Sequence, residues 1–159
     1  MKKLIIILSV CTLLLSSCSK DDDNATPVET QVPKTWANMI GPWQFTKLKR
    51  PNGAVVDFQP VCVGNKNAVL VFRNDNSNSY KEMLLQFFNA NCVIENDFTS
   101  YCIFEDNAIF STNSFPFLED GKVVSLTQNT MVIEIPTGTR TCNAFIGEAT
   151  GYSLVRFQQ

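Results

Sequence analysis

The chain has 159 residues, 45% of them hydrophobic and 18% charged, with 15 acidic against 13 basic side chains and a formal net charge of −2. That balance leaves no basic footprint for nucleic acid and no evident patch for anionic lipid. It also contains no histidine, which excludes Ser-His-Asp and Cys-His nucleophilic systems, histidine-ligated zinc and the usual general base near neutral pH.

Lys2 and Lys3 precede an apolar run from Leu4 to Leu15. At about a dozen residues the run has the length of a signal peptide core and falls short of the ~20 that span a bilayer. It ends in Leu15-Ser16-Ser17-Cys18, an aliphatic residue, two small residues and a cysteine, which resembles the lipobox of bacterial lipoproteins. The resemblance implies that residues 1–17 are a signal peptide cleaved before Cys18, and that Cys18 carries the lipid. Two or more acyl chains there would hold the chain on a membrane stably. The run Lys20-Asp21-Asp22-Asp23 resembles the export signal of some Gram-negative surface lipoproteins. It implies an outer-membrane lipoprotein exposed on the cell surface, with the periplasmic face as the alternative; a solvated spacer is the plainer reading. Three adjacent aspartates without a glycine turn do not make a calcium loop. From Asn24 to Pro33 the chain is polar and aperiodic, a linker. Residues 18–34 are thus read as a lipidated, acidic tether, and residues 35–159 as one domain carrying nine basic and eleven acidic residues.

In the domain, Thr35 to Met39 is the only helical candidate, a short turn whose Trp36 and Met39, with Ile40, would plug one end of a barrel. Beyond Gly41 the apolar pattern alternates, the signature of half-buried strands. Eight strands are predicted: Pro42 to Arg50, Asn67 to Arg73, Ser79 to Phe87, Thr99 to Glu105, Ala108 to Ser111, Lys122 to Thr127, Thr130 to Ile135 and Gly151 to Phe157. Turn residues separate them, among them Pro51-Asn52-Gly53, the tract Asn74 to Asn78, Asp106-Asn107, Glu119-Asp120-Gly121 and Gln128-Asn129. Short antiparallel strands at this spacing predict an all-β sandwich or closed barrel.

Cys11 belongs to the leader, so Cys62, Cys92, Cys102 and Cys142 remain in the domain. In an oxidising compartment four cysteines predict two disulfides, with three possible connectivities. Their spacings lack the short C-x(2–4)-C knuckle of structural zinc, and no glycine-rich phosphate loop follows a strand. No metal and no cofactor are expected.

Gly41-Pro42-Trp43, after a short helical turn and before seven further strands, resembles the lipocalin pattern, and most closely the lipocalin-like domains of small bacterial lipoproteins. In those, Gly and Trp open the first strand, as Gly41 and Trp43 do here. A cysteine precedes the second strand (Cys62), another follows the third (Cys92), and the last strand carries an aromatic and a basic residue (Tyr152 and Arg156). The resemblance spans roughly residues 36–158. It departs at the second hairpin tip, where Asn, Asp and Ser replace the family's glycine. It implies an up-and-down eight-stranded barrel with Trp43 at the closed end and Arg156 laid over its indole. Hairpin geometry and the resemblance together favour Cys62–Cys92, leaving Cys102–Cys142; the competing set is Cys92–Cys102 with Cys62–Cys142.

An eight-stranded barrel is either filled by its own side chains or holds one small ligand. Alternation nominates Phe45, Leu70, Phe72, Leu84, Tyr101, Ile103, Leu126, Met131 and Ile133 as its lining. The segment Phe87 to Ile94 places apolar side chains near the mouth. Glu82 and Glu134 are the only acids well inside strands, and both are expected to face solvent, so no acid–base pair forms and an enzyme is not expected. The resemblance implies a carrier of a small hydrophobic ligand. The alternative is a filled barrel acting on a cell-envelope protein through its mouth loops, with a hydrolase far behind.

Overall fold

Apolar residues alternate with polar ones along most of the domain, and in the structure, a computed structural model, that alternation becomes antiparallel strands wrapped around a single core. The structure describes residues 29–58, 62, 67–73, 80–112, 114–135, 140–142 and 147–157, with only the backbone at 96, 140–142 and 147. The expected signal peptide, Cys18, residues 19–28 and the predicted turn tract Asn74 to Asn78 lie outside the described residues.

In chain order the elements are a one-turn helix α1 (Trp36–Met39), then β1 (Gly41–Lys49), β2 (Val55–Asp57), β3 (Val69–Phe72), β4 (Lys81–Phe88), β5 (Ile94–Phe104), β6 (Phe110–Ser111), β7 (Lys122–Leu126), β8 (Thr130–Glu134), β9 (Arg140–Cys142), β10 (Gly147–Ala149) and β11 (Gly151–Arg156). The main sheet runs β6-β5-β4-β3-β1-β11-β8-β7, with β2 added to β1, and β9 and β10 form a separate hairpin. The two ends of that path meet at an Ile109–Lys122 bridge, where Phe110 N–H donates to Gly121 C=O and Val123 N–H to Ala108 C=O, both at 2.9 Å. The result is a nearly closed, barrel-shaped antiparallel sheet with almost no helix.

The helical turn lies where the sequence predicts it. Trp36 and Met39 are buried in the core and Ile40 packs against it. The Trp36 indole N–H donates to Arg73 C=O at 2.9 Å and that of Trp43 to Met39 C=O at 2.6 Å, so both tryptophans bury their rings while satisfying their one donor. Strand pairing sets the two ends of the barrel. Trp43 lies opposite Arg156, and Lys49 opposite Gly151. The α1 end therefore also holds the β7–β8 turn, and the far end holds the β4–β5 turn.

One predicted boundary moves by several residues. β5 begins at Ile94 rather than Thr99, because β4 pairs with it along its whole length, from Lys81–Cys102 to Phe88–Ile94. Glu, Asn and Asp, the residues at 95–97, are depleted in strands, but cross-strand pairing overrides that weak local preference. The strands β2, β9 and β10 were not predicted; each has three residues, too few to show alternation.

The parity of β5 is a further correction. Tyr101 and Ile103, nominated as lining, face outward at 57% and 46% exposure, while Ser100 and Cys102 are buried. A one-residue error in parity reverses every side chain of a strand, and here the two large apolar residues lie on the wet face. Leu84 is buried but outside the core cluster, which takes Met83, Leu85 and Phe87 from β4 instead. Phe45, Leu70, Phe72, Leu126, Met131 and Ile133 do line the interior, each no more than 1% exposed.

Candidate functional site

At the α1 end, Arg156 closes the barrel. Its guanidinium carbon stands 4.0 Å from the Trp43 ring centroid, a cation–π contact. The same group donates to the carbonyls of Asn38 (2.6 Å), Ile40 (2.5 Å) and Gln128 (3.1 Å). It thus takes up carbonyls that a one-turn helix leaves without intrahelical donors. Burial draws Arg156 below its ordinary pKa, and the ring of carbonyls offsets that desolvation. Gly41 belongs to this lock: its φ of +113° suits glycine, and a Cβ there would stand 2.9 Å from an Arg156 nitrogen.

Part of the interior is filled by a segment outside the eight predicted strands. After β6 the chain turns inward and places Phe115, Phe117 and Leu118 in the core. Phe117 is 1% exposed. It packs against Phe45 (6.2 Å between centroids), Tyr152 (5.9 Å) and Phe115 (5.5 Å). The Tyr152 hydroxyl donates to Phe117 C=O at 3.0 Å, so the tyrosine's polar end is satisfied inside the barrel. The segment Ser114 to Leu118 follows no strand period, which hid it; the available signal was its three large apolar residues between two turns.

At the opposite end Cys62 and Cys92 form a disulfide, with 5.4 Å between their Cα atoms, tying the turn after β4 to the chain before β3. The Asn89 carboxamide oxygen accepts from the N–H groups of Asn91 and Val93, and Cys92 sits at φ 60°, so the tip is a side-chain-braced turn. Val93, 59% exposed, and Ile94 lie at its surface.

The second expected bridge is not formed. Cys102 is a free, buried thiol, and burial pushes its pKa up to about 12. The reason is strand length: with β5 starting at Ile94, Cys102 lies eight residues along it, ~26 Å at ~3.3 Å per residue, near the α1 end. β9, which carries Cys142, follows the opposite end of β8. The Cys142 side chain lies outside the described residues.

The chain before α1 is docked on the barrel. The Glu29 carboxylate accepts from the Thr127 and Thr130 hydroxyls and from the Asn129 amide, and those hydrogen bonds, Thr127 foremost, lower its pKa. Val32 N–H donates to Leu126 C=O at 2.8 Å, and the Gln31 side chain bonds both Ser125 Oγ and Leu126 N–H.

Glu82 is held by Arg73 at 2.9 Å and Glu134 by Lys49 at 3.1 Å, both on the outer surface. Among the described residues no three His, Cys, Asp or Glu side chains cluster as metal ligands. Surface depressions lined by described residues include ones of about 330, 260 and 250 Å³, the first of them between Tyr80, Tyr101 and Ser114. Comparison with known protein families, with curated proteins and with solved structures finds no match.

Proposed function

We propose that this chain is a lipid-anchored envelope protein whose barrel is a filled scaffold for binding another protein, and not a carrier of a small hydrophobic ligand. The lipobox-like Leu15-Ser16-Ser17-Cys18 supports the anchor, and the aspartate run after it supports display on the outer membrane. The observation that carries the choice between binding modes is Phe117: a fully buried aromatic, braced by Phe45 and Tyr152, occupies the space a ligand would need. We infer for the barrel an eight-stranded, lipocalin-like topology. It rests on Gly41, Trp43 and Arg156, and on the eight-strand path of the main sheet.

The docked segment gives the scaffold an orientation. Ten residues lie between Cys18 and Glu29, a stretch that cannot reach beyond ~40 Å even fully extended. Glu29 is fixed at the β7–β8 turn. The α1 end therefore faces the membrane and the Cys62–Cys92 end points away from it, free to meet a partner.

One observation favours the small-ligand reading. Asn67 is buried beside Phe45 and Phe58, and its side-chain oxygen has no partner among the described residues. A buried acceptor of that kind would suit a ligand's donor.

Native mass spectrometry of the mature chain, purified from its own host and then extracted with organic solvent, tests the proposal. The expected result is the protein with its lipid and no other stoichiometric small molecule. A stoichiometric apolar compound released on extraction would refute the filled-scaffold reading.

A further inference from the structure

The segment that fills the barrel also leaves one strand short of a neighbour. β6 pairs with β5 only at Ile103 and Phe104. At Thr112 the chain leaves that edge: the Thr112 hydroxyl donates to Tyr101 C=O at 3.2 Å, and beyond it the chain dives inward to place Phe115 and Phe117. Residues that would have continued β6 alongside β5 are thereby spent on the core. Tyr101 C=O and Glu105 N–H, which donates to Ile109 C=O, both point away from β4. Backbone groups alternate in direction along a strand, so Asp97 and Thr99 present their N–H and C=O on that same side. Among the described residues no strand pairs with them there.

Side chains give this open edge a character. Glu95, Asp97 and Thr99 are exposed. The residue across from Asp97 on β4 is Gln86, and among the described residues neither acid makes an ion pair. On the other face of the strand Phe98 is 48% exposed, edge-on to Phe87 at 6.0 Å. An incoming strand would set one side chain over Phe98 and the next opposite Asp97. A second copy of this chain is the poorer occupant: antiparallel self-pairing about Asp97 sets acid against acid, which is destabilising, and self-pairing about Phe98 sets Asp97 opposite Thr99, so neither register gives the acids a cation.

We propose that the β5 edge around Asp97–Thr99 takes an extended segment of a partner protein with alternating basic and apolar residues, added as a further strand of the sheet. The proposal rests on the protein-binding reading above and names the surface and the chemistry of the partner.

The test uses the mature chain and a short acetylated peptide of alternating lysine and valine, followed by amide hydrogen exchange. Addition of the peptide should protect the Asp97 and Thr99 amides, and a glutamate–valine peptide should not. Asp97→Lys should weaken binding of the lysine peptide by about tenfold and let the glutamate peptide bind. Asp97→Pro removes the outward N–H without touching the β4 ladder, a change that edge strands tolerate, and should abolish protection by either peptide while thermal stability holds. Equal binding of both peptides, or protection elsewhere on the barrel, overturns the proposal. Concentration-dependent protection without peptide assigns the edge to a second copy and overturns it equally. Absence of any peptide effect, together with no extractable small molecule, removes this edge assignment alone; release of a stoichiometric compound removes the parent reading.

Discussion

Replacing Phe117 by alanine tests whether the inward segment is packed core or a loop resting on an open cup. Phe117 is 1% exposed and touches three aromatic rings. Truncating a buried phenylalanine costs about 3–5 kcal/mol, as lost transfer energy plus the cavity left behind. The edge-on contacts with Phe45 and Tyr152 add to that through their ring geometry, which places Phe117→Ala near the middle of the range, about 4 kcal/mol. For a domain of this size the melting temperature should fall by roughly 15 °C. Urea unfolding at unchanged slope measures the free energy directly. The Tyr152 hydroxyl keeps its backbone acceptor, so the loss reports packing and not a broken hydrogen bond. The vacated space is apolar, and such cavities stay dry and admit benzene-sized molecules; the variant should bind benzene and the wild type should not. A loss below about 1 kcal/mol is what surface substitutions cost. It would show that the segment is not packed, and the filled-scaffold reading would fall with it.

Three other outcomes are expected. Replacing Cys62 and Cys92 together by serine opens a covalent loop with a sequence separation of 30 and should cost about 3.5 kcal/mol in urea unfolding; a cost under about 1 kcal/mol would mean the bridge does not restrain the unfolded chain. Arg156→Lys keeps a charge but cannot lie flat on Trp43 while reaching the carbonyls of Asn38, Ile40 and Gln128. A loss of about 2 kcal/mol is expected, with a change in tryptophan emission, and unchanged stability and emission would refute the lock. Glu29 has a lowered pKa, so docking of the 29–34 segment is complete above the ordinary value of 4.5 and lost as pH falls through the lowered one. Amide exchange at Val32 should therefore accelerate in acid, Glu29→Gln should remove that acid step, and identical profiles for the two proteins would contradict the hydrogen-bonded docking.

Much of this protein is legible without its fold, because much of it is local. The helical turn at Trp36–Met39, the starts of β1, β7, β8 and β11, and an inward row of Phe45, Leu70, Phe72, Leu126, Met131 and Ile133 follow from alternation and turn residues. Those features depend on neighbours within a few positions, where period two and turn chemistry speak directly. The Cys62–Cys92 bridge came from hairpin geometry joined to a family resemblance. What only the tertiary structure decided are long-range choices. β5 runs from Ile94 because β4 offers it a full-length partner, and that added length fixes which side of Tyr101 is wet and carries Cys102 to the wrong end for a second bridge. The inward course of Phe115 to Leu118 has no periodic signal at all; it exists because the barrel's interior demands apolar volume that its strands alone do not supply. By taking those residues inside, the fold leaves the backbone at Asp97 and Thr99 facing outward with no strand among the described residues beside it, a surface that no local pattern in the sequence announces.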